Sequence, residues 1–317
     1  MIKFENVTKR YGDKLAVEDV SFNIEEGETF VLIGPSGCGK TTTLKMINRL
    51  ISLSNGYIYF KDNPISEYPV YEMRWDIGYV LQQIALFPHM TIKENIAQVP
   101  QMKKWSTKEI DARIDDLMNM VGLEPKQFKN RYPGELSGGQ QQRVGVVRAL
   151  AADPPVILMD EPFSALDPIS REKLQDDLVD LQKKIKKTIV FVTHDIQEAL
   201  KLGDRICLLR EGKVEQIGTP DEFMSQPAND FVREFIGDLD NYRMQQVALG
   251  ELTKDIPPLD GEENIGVPEL SGNASLRDAF DHLSENDSVI VLTEQGRKRV
   301  RPKDVFKYMS SNKEGDR

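Results

Sequence analysis

The stretch Gly34-Pro-Ser-Gly-Cys-Gly-Lys-Thr-Thr42 follows directly on the apolar run Thr29-Phe-Val-Leu-Ile33. This order predicts a buried strand, then a glycine-rich loop, then a helix. The loop has the spacing G-x-x-x-x-G-K-[ST], which ends here in Lys40 and Thr41. Glycines let the backbone approach a phosphate chain closely, because they adopt conformations that a Cβ atom forbids. The stretch therefore predicts a phosphate-binding loop.

Each residue type in this loop suits a triphosphate. Successive backbone N–H groups would point at the phosphates, and the helix that begins near Lys40 would add the positive end of its dipole. The Lys40 ammonium would reach the β and γ phosphates, while the Thr41 hydroxyl would bind a Mg²⁺ that neutralises them. An ordinary glycine turn would not require the strand, the spacing and the Lys-Thr pair together. The residues predicted to bind the triphosphate through this loop are Gly34, Pro35, Ser36, Gly37, Cys38, Gly39, Lys40, Thr41 and Thr42.

The composition argues against several classes of protein. The chain has 317 residues, of which 39% are hydrophobic and 29% charged, as in ordinary soluble globular proteins. Its formal net charge of −10 argues against nucleic acid as the main partner. No stretch approaches the roughly 18 consecutive apolar residues of a membrane span, and the N-terminus has no signal-peptide pattern, so we expect a cytosolic location. The two cysteines, Cys38 and Cys207, predict no disulfide framework.

Two carboxylates follow a second apolar strand. The run Val156-Ile-Leu-Met159 leads directly into Asp160 and Glu161, and α/β sheets present their chemistry at such strand ends. Asp160 suits Mg²⁺, directly or through water. Glu161 suits a general base that orients and deprotonates an attacking water. Paired acids at a strand end can also cap a helix, but their place downstream of a phosphate loop favours catalysis.

Two more polar side chains end strands that should lie in the same sheet. Gln82 follows Ile77-Gly-Tyr-Val-Leu81, and His194 follows Thr188-Ile-Val-Phe-Val-Thr193. Because chemistry in α/β sheets gathers at the carboxyl ends of the strands, both side chains should emerge at the same edge as Asp160. A lone histidine after a strand is usually structural, but this position favours function.

From about residue 84 to residue 152 the hydrophobic pattern becomes helical, with Ile110, Ile114 and Leu117 spaced for one buried face. We interpret this region as a helical subdomain inserted in the sheet. Near its end, Leu136-Ser-Gly-Gly-Gln140 directly precedes a helix. The exposed N–H groups and the helix dipole predict a second anion site there.

The first forty residues alternate short β-like runs with turns, which predicts an antiparallel flap before the phosphate-loop strand. Tyr11 lies in this flap. An aromatic ring just outside a nucleotide site can stack on adenine, although a tyrosine beside Gly12 more often packs on the turn.

These motifs, in this order, resemble those of the ATP-binding subunit of an ABC transporter. The resemblance covers about Met1 to Gly237 and implies an α/β fold: a P-loop NTPase cassette with the antiparallel β flap and the inserted helical subdomain. Its most specific element is the Leu-Ser-Gly-Gly-Gln run, because other P-loop ATPases lack it between their two Walker motifs. The motifs that carry it are the phosphate loop, Gln82, Leu136 to Gln140, Asp160-Glu161, Ser164-Ala-Leu-Asp167 and His194.

In the family, two cassettes bind head to tail, and each ATP lies between the P-loop of one chain and the Ser-Gly-Gly-Gln run of the other. The resemblance implies that Tyr11 stacks on adenine, that Glu161 is the base and that His194 contacts the γ-phosphate. Gln82 would link the metal and the attacking water to the membrane partner. The implied Mg²⁺ ligands are Thr41, Gln82 and Asp160. The residues implied to act across the dimer interface are Ser137, Gly138, Gly139 and Gln140, which bind ATP, and Asp167.

A narrower resemblance is to the ATPases of bacterial importers for osmoprotectants such as glycine betaine, carnitine and choline. It is carried by the runs Tyr79 to Met90, Arg131 to Ser137 and Asp160 to Ser170. It implies transmembrane permease subunits, an extracellular substrate-binding protein and a peripheral location on the cytoplasmic face of the membrane. The solute never touches this subunit, so an importer of amino acids or other small amines stays open. The chain departs from its relatives at Gln141, where a basic residue is frequent, and in a shortened C-terminal region.

Other functions of this protein class fit less well. ATPases of DNA repair and chromosome structure separate the two Walker motifs by long coiled coils, whereas Lys40 and Asp160 are close in the sequence. Translation-associated relatives normally carry two cassettes in one chain, and one phosphate loop occurs here. A nucleotide-binding regulator without turnover stays open, although Glu161 favours hydrolysis. An exporter with fused membrane spans would need spans that this chain lacks.

Beyond Gly237 the composition changes. Residues 238–272 are rich in Asp, Glu, Pro and Gly and predict a linker. Residues 273–317 predict a helix, a strand and a turn at Gln295-Gly296, followed by the run Lys303 to Met309. This order resembles one degenerate CBS repeat, an α+β unit. The run Arg297-Lys-Arg-Val-Arg-Pro-Lys303 is basic within an acidic chain. It is either a solvated face or, if two chains pair, a site for an anionic nucleotide or lipid surface that regulates the ATPase.

Overall fold

A computed structural model describes residues 1–164, 166–237, 247–259, 267–283, 286–293 and 296–311 of the chain. Ala165, Gln295, much of the predicted linker and the last six residues lie outside the described residues. The chain divides into two units, Met1–Ile236 and Gly237–Arg317.

The first unit begins with a four-stranded antiparallel sheet. Its strands are β1 (Ile2–Tyr11), β2 (Lys14–Ile24), β4 (Asn55–Phe60) and β5 (Asn63–Pro64), in the order β2-β1-β4-β5. Buried and exposed residues alternate along much of β1 and β2, because one face of the sheet packs on the core. The antiparallel flap predicted from the first forty residues is thus confirmed, and β4 extends it.

A six-stranded sheet forms the centre of this unit, in the order β10-β9-β3-β8-β7-β6. Its strands are β3 (Thr29–Ile33), β6 (Ile77–Val80), β7 (Val156–Asp160), β8 (Thr188–Val192), β9 (Arg205–Arg210) and β10 (Lys213–Gly218). The neighbours from β9 to β6 pair in parallel, and β10 pairs antiparallel with β9. Every residue of β3, β7 and β8 is buried, as their near-continuous apolar runs require. The parallel strands therefore bring the residues that follow them to one edge.

Between β6 and β7 every described element is helical, as predicted for residues 84–152. The helices there are α3 (Ile92–Met102), α4 (Thr107–Met120), α5 (Pro125–Phe128) and α6 (Gly138–Leu150), with a 3₁₀ turn at Pro133–Glu135. Thr91, Ser106 and Ser137 each cap the helix that follows, and the side chain three residues later bonds back to the cap. This reciprocal pair satisfies N–H groups that a helix start leaves without partners.

The remaining helices of the first unit flank the two sheets. They are α1 (Lys40–Ile47), α2 (Val70–Trp75), α7 (Pro168–Ile185), α8 (Ile196–Leu202), α9 (Pro220–Ser225) and α10 (Asp230–Ile236), with a 3₁₀ turn at Ile65–Glu67. Helix α7 buries Leu174, Leu178 and Leu181, which lie on one face at helical spacing. None of the helices that the structure describes is both long enough and apolar enough to cross a bilayer.

The second unit has its own small sheet and core. Its elements are α11 (Leu249–Leu252), a 3₁₀ turn at Thr253–Asp255, β11 (Glu269–Ser271), α12 (Leu276–Leu283), β12 (Val289–Thr293), β13 (Gly296–Val300) and α13 (Pro302–Ser311). Strand β12 pairs in parallel with β11 and antiparallel with β13. Helix α11 differs from the predicted linker, because Leu249 and Leu252 are buried in the core of this unit. The assignment of the unit as a CBS repeat stays a prediction.

Candidate active site

The loop between β3 and α1 is shaped by glycines that no other residue could replace without strain. Gly34 and Gly39 have φ angles of 146° and 109°, in the region that favours glycine. A Cβ atom on Gly34 would lie 2.1 Å from the Leu209 carbonyl oxygen, and one on Gly39 would lie 2.5 Å from the Ala16 carbonyl oxygen. The backbone of the loop therefore packs closely against both β9 and the flap strand β2.

Lys40 lies inside the curve of this loop. Its side chain is almost fully buried, with 6% of the residue exposed. The ammonium donates hydrogen bonds to the carbonyl oxygens of Gly34, at 2.7 Å, and of Pro35, at 3.0 Å. An ammonium has three donors on a rotatable stem, so it can exchange these carbonyls for phosphate oxygens without leaving the loop.

Asp160, at the end of β7, faces the start of α1. The Thr41 hydroxyl donates to Asp160 Oδ1 at 3.0 Å, and the Tyr79 hydroxyl donates to Oδ2 at 3.4 Å. The Lys45 ammonium lies 3.6 Å from Oδ2. Burial, followed by the Asp160 charge, raises the pKa of Tyr79, so its phenol stays a donor at neutral pH. Sequence reasoning missed Lys45, which lies in α1 together with Lys40 and Thr41, and Tyr79, which lies in β6, the strand that precedes Gln82.

The atoms next to Asp160 have the chemistry of a magnesium site. Carboxylate and hydroxyl oxygens are ligands that Mg²⁺ prefers, and Asp160 and Thr41 place one of each side by side. Among the described residues there is no group of three or more His, Cys, Asp and Glu side chains arranged for a metal ion. A magnesium ion here would accordingly take further ligands from phosphate and water.

Glu161, one residue further on, is brought together with two other predicted site residues. The Gln82 amide nitrogen donates to Glu161 Oε2 at 3.0 Å. His194 Nδ1 lies 3.4 Å from the same oxygen. The chain segments that follow β6, β7 and β8 therefore bring three side chains together: Glu161 supplies a carboxylate oxygen, and Gln82 and His194 both contact it.

The backbone of Glu161 is held in an unusual conformation. Its φ angle is 45°, in the left-handed region, which for a residue with a Cβ costs roughly 1–2 kcal/mol. The N–H group of Glu161 donates to the Val192 carbonyl oxygen at 3.0 Å, which ties the residue to the end of β8. Such strain concentrates at functional sites, where the surrounding structure fixes a side chain in one direction.

The Ser-Gly-Gly-Gln run forms the start of α6. The Gln140 N–H donates to the Ser137 hydroxyl at 3.3 Å, and the Ser137 N–H donates to the Gln140 side-chain oxygen at 2.9 Å. A Cβ atom on Gly139 would lie 3.6 Å from the Ser170 Cβ atom, so this run lies beside the first turn of α7. The Gln141 amide donates to the Leu136 carbonyl oxygen at 3.1 Å.

Asp167 caps the start of α7. Its carboxylate accepts a hydrogen bond from the Ser170 N–H at 3.0 Å. The hydrogen bonds from Ser170 hold the pKa of Asp167 below its usual value. The charged carboxylate is thus fixed at the helix start, next to the run at the start of α6.

Tyr11 lies at the exposed end of β1, with 48% of the residue accessible to solvent. The Lys9 ammonium lies 4.7 Å from the centre of its ring. Tyr11 pairs with Lys14 at the turn into β2, the strand that packs against Gly39 through Ala16. The flap therefore carries an accessible aromatic ring on the hairpin that contacts the glycine-rich loop.

The basic run of the second unit does not form one exposed face. Along β13 the side chains alternate, because successive residues of a strand point to opposite faces. Lys298 is buried and donates to the Thr253 carbonyl oxygen at 2.7 Å, whereas Arg297 forms an ion pair with Glu269. Arg301 and Lys303, just beyond the strand, are exposed. The cations of the run therefore do not share one face of this chain, and an anion site there, the second of the two interpretations of the sequence, stays a prediction.

Comparison with known proteins gives consistent relatives. The family model described as ABC transporter matches residues 17–164. The osmoprotectant import ATP-binding protein OsmV of Salmonella typhimurium is 51% identical over 86% of this chain and 73% of its own length. The glycine betaine/carnitine/choline transport ATP-binding protein OpuCA of Bacillus subtilis is 49% identical over 93% of this chain and 76% of its own.

Solved structures show the same fold. A dimeric ATP-binding cassette in a post-hydrolysis state, bound to ADP and Pi, is 39% identical with a TM-score of 0.61. The match covers 69% of this chain and 99% of that one. The glycine-rich loop, the Leu136 to Gln140 run and the strand-end cluster around Glu161 lie in the first unit, which the relatives share. The chain therefore belongs to the ABC transporter family, as an ATP-binding cassette subunit.

Proposed function

We propose that this chain is the ATP-hydrolysing subunit of an importer for quaternary-amine osmoprotectants such as glycine betaine, carnitine and choline. The observation that supports ATP hydrolysis is that Gln82 and His194 both contact one oxygen of Glu161, beside Asp160 and the phosphate loop. The solute class is supported by relatives about 50% identical that are described as osmoprotectant, carnitine and choline transport proteins.

The site residues have complementary roles in this proposal. The Lys40 ammonium and the N–H groups of the loop bind the β and γ phosphates of ATP. Asp160 and Thr41 would hold a Mg²⁺, which would neutralise phosphate charge when bound. Glu161 accepts a proton from a water whose oxygen attacks the γ-phosphorus in line; the bond from that phosphorus to the β–γ bridging oxygen breaks, and ADP and phosphate leave. His194 donates a hydrogen bond to the γ-phosphate. Gln82 orients the Glu161 carboxylate through its amide.

A second copy of the chain completes each site. Ser137 and Gly139 lie at the start of α6, where N–H groups and the helix dipole favour an anion. In the proposal they close on the γ-phosphate bound by the partner, with Asp167 in the interface between the copies. The support is that similar cassettes, 39% identical, are dimeric in their solved structures.

The other partners follow from the family. The dimer would bind transmembrane permease subunits at the cytoplasmic face of the membrane, as a peripheral protein. An extracellular binding protein would select the solute and deliver it to the permease. Because the solute then never contacts the ATPase subunit, its identity has to be tested on the assembled transporter.

We expect glycine betaine, carnitine or choline to stimulate ATP hydrolysis by the complete transporter in lipid vesicles. The measurement is phosphate release with each solute and its binding subunit present, using a transporter with Glu161→Gln as the inactive control. Amino acids that stimulate while these amines do not would favour the alternative, an amino-acid or small-amine importer. Stimulation by sugars or metals alone would refute the proposed solute class.

The second unit is proposed to regulate the ATPase through an anionic nucleotide or an anionic lipid surface. Arg301 and Lys303 are exposed cations of the basic run, and Arg297, which is exposed as well, forms an ion pair with Glu269. Contacts between exposed charges weaken with salt, because the Debye length is about 8 Å at physiological ionic strength. Such contacts would let ionic strength control transport.

Removal of residues 238–317 should leave basal ATP hydrolysis in place and abolish its response to salt or to added nucleotide. The paired substitution Arg301→Gln and Lys303→Gln should weaken the same response, whereas Lys173→Gln, at an exposed position of α7, should not. The measurement is ATP hydrolysis against salt concentration in vesicles with and without anionic lipid. Identical responses of the truncated and full-length transporters would refute the regulatory role.

A further inference from the structure

Glu198 is a buried carboxylate that the proposed ATP chemistry does not use. It lies in α8 and is 6% exposed. Two partners that are themselves buried contact it, Thr193 and Gln175. Burial of a carboxylate destabilises a fold unless hydrogen-bond donors surround it, so the donors around Glu198 have to offset that cost.

The hydrogen bonds of Glu198 join three elements of the fold. The Thr193 hydroxyl donates to Glu198 Oε2 at 2.6 Å, and the Gln175 amide of α7 donates to Oε1 at 3.3 Å. The Thr193 hydroxyl also accepts from the Asp195 N–H at 3.0 Å. Thr193 and Asp195 are the two chain neighbours of His194. The carboxylate therefore fixes the backbone on both sides of that histidine.

The charged groups that act on Glu198 belong to His194, its neighbour Asp195 and Arg171 of α7. Burial raises the pKa of Glu198, and the nearby Asp195 adds to that rise, whereas the Thr193 hydroxyl, Arg171 and His194 oppose it. Arg171 lies in the first turns of α7, the helix that Asp167 caps. The carboxylate is thus placed between the histidine at the end of β8 and the helix that begins at the proposed dimer interface.

We infer that Glu198 is a positioning residue, which holds His194 in register with Glu161 and with α7 through its bonds to Thr193 and Gln175. The inference rests on the proposed function of Glu161 and His194. His194 Nδ1 lies 3.4 Å from Glu161 Oε2, so a small movement of Thr193 changes this contact. Misplacement by about 1 Å at a reacting centre can cost about 100-fold in rate.

The test compares Glu198→Ala with Glu198→Gln in the assembled transporter. The alanine variant should lower kcat about 10- to 100-fold, because both bonds are lost and His194 is released. Glutamine should restore kcat, since its side-chain oxygen accepts from Thr193 and the Gln175 amide can turn to accept from its nitrogen. In both variants KM for ATP should stay within about twofold, because Lys40 and the glycine-rich loop, which bind the β and γ phosphates, are unchanged. The matched control is Glu172→Ala, at an exposed position of α7, the helix that carries Gln175. This variant should keep native kcat.

A second variant keeps the test decisive if Glu198→Ala does not fold. Thr193→Val removes the hydroxyl with little change of shape and should lower kcat in the same way. The double variant, Glu198→Ala with Thr193→Val, should lower kcat by much less than the product of the two single-variant factors. The reason is that the two residues act through one hydrogen bond. A purely structural role would instead lower thermal stability and leave the kcat of the folded fraction unchanged.

Two outcomes separate this inference from the proposed function. Native kcat in folded Thr193→Val and in every folded Glu198 variant would overturn the positioning role, provided that Glu161→Gln is inactive. Normal turnover by Glu161→Gln would instead refute the proposed function on which the inference rests.

Discussion

Replacement of Glu161 by Gln should lower ATP turnover by about 10²- to 10⁴-fold, the range expected when a general base is lost from a fixed site. The amide keeps the size of the side chain and can still accept from Gln82, but it cannot take a proton from water. ATP binding should persist, because Lys40 and the loop are unchanged. The variant should therefore accumulate a closed dimer with ATP trapped between the two copies.

The measurement combines phosphate release with dimer detection by size-exclusion chromatography in the presence of ATP and Mg²⁺. Glu172→Gln, an isosteric change at an exposed position of α7, should behave as the native protein in both experiments. Near-normal turnover by Glu161→Gln would mean that another group accepts the proton, and the assignment of this carboxylate would fail.

The sequence predicted β3, β7 and β8 of the central sheet well because these strands are uniformly buried. These runs are almost wholly apolar, and each ends at a polar residue or a glycine that marks the strand end. Since parallel strands share one carboxyl edge, the meeting of Gln82, Glu161 and His194 followed from order alone. The flap was equally accessible, because its alternating pattern is typical of a strand with one covered face.

Other features depend on contacts that no local pattern encodes. Glu198 sits in a helical run that reads as an ordinary amphipathic segment, and its burial arises only when α7 and β8 pack around it. Tyr79 alternates with apolar residues in β6, so its hydroxyl could not be assigned to Asp160 before the pairing of β6 with β7 was known.

The second unit also has features that its composition did not predict. Residues 249–252 are embedded in a stretch rich in Pro, Asp, Glu and Gly, and that composition hid a short helix. In the basic run, composition indicated a solvated face or an anion site, but β13 buries Lys298, half-buries Arg299 and leaves Arg297 exposed. Composition alone could not indicate which cations face solvent, because that depends on the register of β13 with β12.

Replacement of Lys40 by Ala should weaken ATP binding by about 10- to 100-fold, as expected for the loss of a charge-assisted contact to phosphate. The native ammonium is already held at the loop by the carbonyl oxygens of Gly34 and Pro35, so little side-chain freedom is lost when ATP binds. Turnover should fall as well, since the same charge stabilises the γ-phosphate during transfer.

The measurement for Lys40→Ala is equilibrium binding of a fluorescent ATP analogue, repeated with Glu161→Gln so that hydrolysis does not deplete the ligand. Lys173→Ala removes a lysine from an exposed position of α7 and should leave the affinity unchanged. Thermal unfolding without nucleotide checks that Lys40→Ala still folds, since two carbonyl oxygens lose their donor. A folded Lys40→Ala variant that binds ATP with native affinity would show that the loop between β3 and α1 does not hold the phosphates, and the site would have to be sought elsewhere in the first unit.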